Sequence, residues 1–211
     1  MIPSREGMRR ELDRRHGKVL QDRFADASVA ICGLGGLGSN VATALARAGV
    51  GHLHLIDFDR VDISNLNRQQ YMAHQPGIFK TEALKENLLM IAPYVKVTVD
   101  TVRITEENIR RLLRNDDIIC EAFDVAEAKA MLANFILENM PEKYLVSGSG
   151  MAGILSSNTI RTRKVTEKFY LCGDEISDAD KGDGLFSSRV MICAAHQANM
   201  IMRIIAGKYD V

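Results

Sequence analysis

Apolar and polar positions follow two rhythms along this chain. Short apolar runs read as buried strands at Ser28–Cys32, about His52–Asp57, Lys96–Val102, Asp117–Glu121 and Tyr144–Ser147; each is too short to count as a helix. Between them lie longer stretches with helical spacing, from Ser39 to about Ala48, from Lys80 through Leu88, Leu89 and Ile91, and over Ala126–Asn139. Gly49 reads as the C-terminal cap of the first, and Pro93 and Pro141 stop the other two. Thr105 caps a short helix with Glu106 and Glu107 in its first turn and Arg110, Arg111 and Arg114 toward its end, the order a helix dipole prefers. Thr159–Thr162 and Lys168–Leu171 read as late antiparallel strands, and Ser188–Ala206 as a last apolar helix ended by Gly207. Strands alternating with helices predict an α/β fold, a largely parallel sheet with helices on both faces. Residues 5–24 read as an opening helix, rich in arginine, that Gly17 can break in two. With no internal repeat and no boundary, residues 1–211 are expected to form a single domain.

The junction after the first strand holds the densest chemistry. Gly33, Gly35 and Gly38 fit the spacing G-x-G-x-x-G, and Gly36 adds a fourth glycine. Such a turn is too tight for a Cβ, brings backbone close to a phosphate, and lets the new helix pack tightly on the strand. A helix beginning at Ser39 would offer free N–H groups to an anion. Asp57 ends the next strand about 20 residues on, where a carboxylate can accept ribose hydroxyls. The pattern predicts a Rossmann-like nucleotide site; it leaves open which nucleotide, or a tight turn with no ligand.

Composition narrows the partners. The chain has 211 residues, with 27 Lys plus Arg against 27 Asp plus Glu. A zero balance argues against nucleic acid as the main partner. No apolar run is long enough to span a membrane, and the polar opening is unlike a secretory signal. Cys32, Cys120, Cys172 and Cys193 are isolated, with no C-x-x-C among them, so no zinc is expected. A cytoplasmic protein with reduced thiols is the simplest expectation. His52 and His54 alternate with leucines and read as structural.

The choice of nucleotide turns on cations. A dinucleotide pyrophosphate needs little beyond backbone amides, whereas a triphosphate being cleaved needs positive charge that follows it into the transition state. The polar, non-periodic stretch after Asp57 supplies Asn65, Arg68 and Gln69, and Lys80 opens the next helix. Asp124 ends another strand on the same side and can hold magnesium, which takes one or two carboxylates plus phosphate oxygens. Singly each reads as a solvated loop residue; together they favour ATP over NAD.

At these residues the chain resembles a known family. Gly33-Leu-Gly-Gly-Leu-Gly-Ser39, Ala48-Gly-Val-Gly51, Asp57-Phe-Asp59 with Val61, and Ser64-Asn-Leu-Asn-Arg68-Gln69, then Gly77 and Lys80, are similar to the ThiF/MoeB/HesA adenylating enzymes. The likeness runs in order over residues 28–124 and weakens beyond, where Gly184-Leu-Phe and Gln197-Ala198 still match; the length and the Arg15-His-Gly17 opening look most like the short ThiF branch. The resemblance implies ATP-dependent adenylation of the C-terminal glycine carboxylate of a small ubiquitin-like sulfur carrier protein ending in Gly-Gly, with release of pyrophosphate, in thiamine thiazole biosynthesis. It implies that Gly33, Gly35, Gly36 and Gly38 face the phosphates and that Asp57, with Asp59 beside it, faces the ribose. Ser64, Asn65, Arg68, Gln69 and Lys80 would line the nucleotide, and Asp124 would hold Mg2+. A homodimer in which Arg14 or Arg15 reaches across the interface is implied as well, with residues 148–211 as the carrier-docking part.

Three departures stand out. The family's paired C-x-x-C motifs are missing. Val125 follows Asp124 where an Asn is usual. Cys172 is the sole cysteine near the loop expected to handle sulfur, so it is the candidate for a covalent step; the acidic run after it would raise a thiol pKa. Other readings are an adenylating enzyme acting on another carboxylate or a tRNA base, an NAD-dependent oxidoreductase, and a carrier-binding protein without catalysis.

Overall fold

A computed structural model describes residues 2–178 and 182–211. Two helices, α1 (Arg5–His16) and α2 (Lys18–Asp26), precede an alternating series. It runs β1 (Ser28–Cys32), α3 (Gly36–Ala48), β2 (His52–Ile56), α4 (Lys80–Ile91), β3 (Lys96–Asp100), α5 (Glu106–Leu113), β4 (Ile118–Glu121), α6 (Ala126–Asn139) and β5 (Tyr144–Gly148). The chain ends in β6 (Arg161–Lys164), β7 (Phe169–Gly173) and α7 (Ser187–Ile205). As the sequence suggests, Gly17 parts α1 from α2, with φ at +83°.

The seven strands lie in the order β3-β2-β1-β4-β5-β7-β6. All neighbours pair in parallel except β6 with β7. The two late strands are thus antiparallel to each other, while β7 continues the parallel run beside β5. Odd positions of β1 and β2 (Val29, Ile31, Leu53 and Leu55) share one apolar cluster with Leu45 of α3, Leu84 of α4 and Ile201 of α7. Ala30, Cys32 and Ile119 face the other way, toward Ile109 of α5 and Leu132 of α6. Both faces are therefore covered, which explains why the central strands read as continuous apolar runs. Strand order reverses between β1 and β4, and open α/β sheets bind ligands above such a point, at the carboxyl ends of the strands. No described helix is long and apolar enough to cross a membrane.

The polar exceptions in β2 are bonded within the sheet. His52 lies 2.8 Å from Ser28 Oγ and 2.9 Å from Thr98 Oγ1. His54, 7% exposed, lies between two carboxylates, 2.8 Å from Asp116 and 2.9 Å from Asp100. Burial alone would lower the His54 pKa, but hydrogen bonds to Asp116 and Asp100 outweigh it and raise the pKa above the ordinary 6.5. The folded state therefore binds this proton more tightly than the unfolded chain, so the stabilisation is complete below about pH 6.5 and fades as pH rises through the raised value. His54→Asn should cost on the order of 1 kcal/mol at pH 6 and distinctly less at pH 9, read from urea midpoints at both values. Comparing the variant with wild type at each pH cancels the opposite contribution of His52, whose pKa is lowered by burial and by Lys96.

Candidate functional site

The turn after β1 is built by close approach. Gly33 takes φ +91°, and a Cβ there would lie 2.8 Å from Ala122 O. At Gly38 a Cβ would sit 1.9 Å from Gly33 O. The helix does not begin at Ser39 as the sequence suggests. It begins at Gly36, with Gly35 as N-cap, because the packing of Gly38 and the buried Leu37 overrides the poor helix propensity of glycine. Ser39 N–H makes the first intrahelical bond, to Gly35 O at 3.1 Å, which leaves the amides of Gly36, Leu37 and Gly38 at the anion-binding end.

Asp57 braces this turn. It follows β2 directly, is 8% exposed, and accepts Leu34 N–H at 2.6 Å and Asp59 N–H at 2.8 Å. Burial raises its pKa, opposed by the Asp59 amide and by the charge of Lys80. Lys80, 7% exposed at the first position of α4, donates to Asp59 Oδ2 at 3.1 Å. One run of bonds thus links the glycine turn through Asp57 and Asp59 to the Lys80 ammonium.

Arg68 reaches the turn from the other side. Its Cγ and Cδ lie 3.6 and 3.7 Å from where a Cβ on Gly36 would be, and its guanidinium holds Ser64 O at 3.1 Å and Asn67 Oδ1 at 2.8 Å. Asn40 Nδ2 clamps the two segments, donating to Gly36 O at 2.7 Å and to Arg68 O at 3.1 Å. Tyr71 Oη adds a bond to Leu34 O at 2.7 Å. Gln69 Nε2 lies 3.8 Å from the Cβ position of Gly35, and its buried Oε1 has no partner among the described residues. Ser64 and Asn65 are engaged in a 3-10 turn capped by Asp62: Ser64 Oγ donates to Asp62 at 2.6 Å, and Asn65 Oδ1 accepts Asp62 N–H at 3.0 Å.

Asp124 is exposed on the turn between β4 and α6, next to Phe123, whose Cδ1 lies 3.0 Å from the Cβ position of Gly33. Val125, 54% exposed, takes the N-cap position of α6 without a side-chain bond. Among the described residues no group of three or more His, Cys, Asp or Glu is gathered for a metal. A magnesium ion at Asp124 would draw its other ligands from phosphate and water, which suits its chemistry.

Two sets of candidates are not brought to this turn. The C-terminal end of α3, at Gly49, meets α1, where a Cβ would lie 2.8 Å from Leu12 Cδ1. Helix α1 is therefore about 20 Å, the length of α3, from the glycine turn. Arg14 there pairs with Glu11 at 2.8 Å; it and Arg15 follow Leu12 closely on the same helix, so neither joins the site within one copy of the chain. Cys172 lies inside β7 rather than in a loop, and it is 0% exposed. Burial pushes its thiol up to about 12, so as folded it offers no thiolate for a covalent step.

Sequence reasoning missed Glu121 and Arg189. Glu121 is 0% exposed, with Lys129 Nζ 2.9 Å from Oε1. Arg189, 2% exposed on α7, donates to Ala152 O, Leu155 O and Ser156 O at 3.0, 2.9 and 2.8 Å and pairs with Asp174. Burial would raise the pKa of that aspartate, but the amides of Ser177 and Ile176 and the guanidinium hold it near 2. A lone charge at the edge of an apolar run was the available signal for both. Two clefts lie elsewhere: one of about 680 Å³ beside β6, lined by Arg161 and Arg163, and one of about 640 Å³ beside His52 and His54.

Comparison with known proteins adds ancestry to this geometry. A profile of the ThiF family matches residues 8–211. The chain is 34% identical over 150 residues to the sulfur carrier protein adenylyltransferase of Thermus thermophilus, covering 67% of this chain and 50% of that one. It is 33% identical over 139 residues to the tRNA threonylcarbamoyladenosine dehydratase of Escherichia coli, covering 65% of this chain and 52% of that one. The chain thus spans about half the length of these curated relatives. The crystal structure of the E. coli dehydratase in complex with ATP superposes with a TM-score of 0.86 at 22% identity, over 98% of both chains, a likeness of fold.

Proposed function

Since this chain belongs to the ThiF family, we propose that it adenylates the C-terminal glycine carboxylate of a small ubiquitin-like sulfur carrier protein, using ATP. Residues 1–211 are read as one adenylation domain. The observation that carries the reading is convergence: Lys80, tied through Asp59 and Asp57 to Leu34, and Arg68, lying over Gly36, flank one glycine turn above the β1–β4 reversal. A dinucleotide would leave both cations without a task.

In the reaction a carboxylate oxygen of the carrier attacks the α-phosphorus, the bond to the bridging oxygen breaks, and pyrophosphate leaves with the electron pair. The first-turn amides of α3 and the Arg68 guanidinium face the charge that develops on the phosphate oxygens. Lys80 exchanges part of its pairing with Asp59 for those oxygens. Asp57 presents its remaining lone pairs to the ribose, and Gln69 brings its amide nitrogen beside Gly35. Magnesium, when bound, neutralises phosphate charge, and Asp124 is the residue that would hold it. Arg14 or Arg15 would come from a second copy, since α1 sits at the far end of α3.

The loops beyond β5 suit a protein substrate. Arg189 pins them to α7, and they leave Ile154 and Ile176 79% and 80% exposed, as is Phe186 at 47%. Asn67 Nδ2 bonds Leu185 O at 3.1 Å, which ties the segment before α7 to the loop that carries Arg68. The sulfur carrier adenylyltransferase likeness favours a sulfur carrier, and the short-branch resemblance favours thiamine thiazole. The likeness to the tRNA dehydratase carries a second reading, an adenylating enzyme of the same fold acting on a tRNA base or another carboxylate.

Intact-mass spectrometry separates the two. Incubation with Mg·ATP and a carrier ending in Gly-Gly should add one AMP to the carrier, and deleting the terminal glycine should abolish the adduct. Absence of the adduct, with tRNA-dependent AMP formation instead, would replace the first reading by the second.

A further inference from the structure

We propose that Glu121 is a positioning residue for Asp124: its buried carboxylate fixes the β4–α6 turn against the glycine turn, so that Asp124 can share a magnesium ion with the nucleotide phosphates. The inference rests on the nucleotide reading above and assigns a task to a group which that reading leaves unused.

A carboxylate in an apolar layer is costly unless its charge and lone pairs are met. Glu121 is 0% exposed, and its partners come from several elements. Lys129 Nζ, on α6, lies 2.9 and 3.1 Å from the two oxygens. Ser147 Oγ, on β5, donates to Oε2. The backbone carbonyl of Glu121 accepts Gln197 Nε2, on α7, at 3.0 Å. The bond that matters most is local: Phe123 N–H donates to Oε1 at 2.7 Å. This bond closes the turn that carries the next residue, Asp124.

Closing the turn has a consequence at the glycines. Ala122 O and Phe123 Cδ1 lie 2.8 and 3.0 Å from where a Cβ on Gly33 would be. The two turns touch because Gly33 has no side chain. Glu121 therefore sets how far the Asp124 carboxylate stands from the amides at the start of α3. The Asp124 carboxylate makes no side-chain bond among the described residues that could hold it otherwise; its placement comes through the backbone that Glu121 ties down.

Glu121→Gln tests this, since the amide keeps the shape but loses the charge opposite Lys129 and one acceptor. In the wild type, Mn2+ affinity for the protein–ATP complex, read by electron paramagnetic resonance, gives the reference. Glu121→Gln should weaken it about tenfold, leave metal-free ATP affinity within twofold, and speed amide exchange at Phe123 about tenfold. Asp124→Asn should weaken Mn2+ to a similar degree with Phe123 protection intact, which separates holding the metal from placing its holder. In the double variant Glu121→Gln/Lys129→Met the stranded ammonium is gone, so thermal stability should return while Mn2+ affinity stays low. Unchanged Mn2+ affinity in a folded Glu121→Gln protein, or undiminished protection at Phe123, would overturn the inference alone. Wild-type protein that binds no ATP would overturn the nucleotide reading, and this inference with it.

Discussion

Lys80→Ala should lower carrier-dependent adenylation by about 10²–10³-fold, the usual cost of removing one charge-stabilising donor from a transition state. The side chain is 9% exposed, so its charge acts where water screens it little. Its resting partner Asp59 has a side chain 48% exposed and tolerates losing the ion pair. The variant should therefore fold and bind Mg·ATP within a few-fold of wild type, with the loss in kcat. Arg68→Ala should fall in the same range, and Lys80→Ala/Arg68→Ala should lose less than the product of the two, since both cations serve one leaving group. Loss of ATP affinity with kcat unchanged would instead mean uniform binding, with no role confined to the transition state.

The largest effect on stability is expected at Gly38. Alanine is the better helix former by about 1 kcal/mol, so propensity alone predicts stabilisation. Sterics decide otherwise. The new Cβ would lie 1.9 Å from Gly33 O, 2.9 Å from Gly33 C and 3.1 Å from Ile31 Cγ2. Two of those atoms are backbone of the turn itself, which cannot move without parting β1 from α3. A cost of about 3–5 kcal/mol is expected, at the severe end for point variants, and would be read as a lowered urea midpoint. Gly36→Ala is the useful contrast. Its Cβ would meet the Val190 side chain at 2.8 Å rather than backbone, so it should fold better than Gly38→Ala while still narrowing the phosphate shelf.

The strands and α6 were legible in the sequence because their signals are local. Ala126–Asn139 stands between a strand and Pro141, and its bounds agree with the structure. The start of α3 was not legible, since glycine argues locally against helix and the compensating contacts come from Gly33 and Val190. Asp57 was recognised as a candidate, but its bracing bond to Leu34 depends on a fold that brings residues 34 and 57 together. Arg68, Lys80 and the glycines could be grouped because motif order keeps them within one crossover. Glu121 and Arg189 escaped because their partners lie far along the chain, at Ser147 and Ala152 among others. Cys172 looked like a loop residue because β7 extends to Gly173, two positions past the apolar run that marks it. Residues 179–181 of the acidic loop lie outside the described residues.

ATP–pyrophosphate exchange tests most directly whether two cations flank a nucleotide cleaved between its α- and β-phosphates. Purified protein with Mg·ATP and its Gly-Gly carrier should return labelled pyrophosphate into ATP, and Lys80→Ala should abolish nearly all of that label. A wild-type protein that incorporates no label under these conditions, while NAD raises its melting temperature more than Mg·ATP does, would contradict the account.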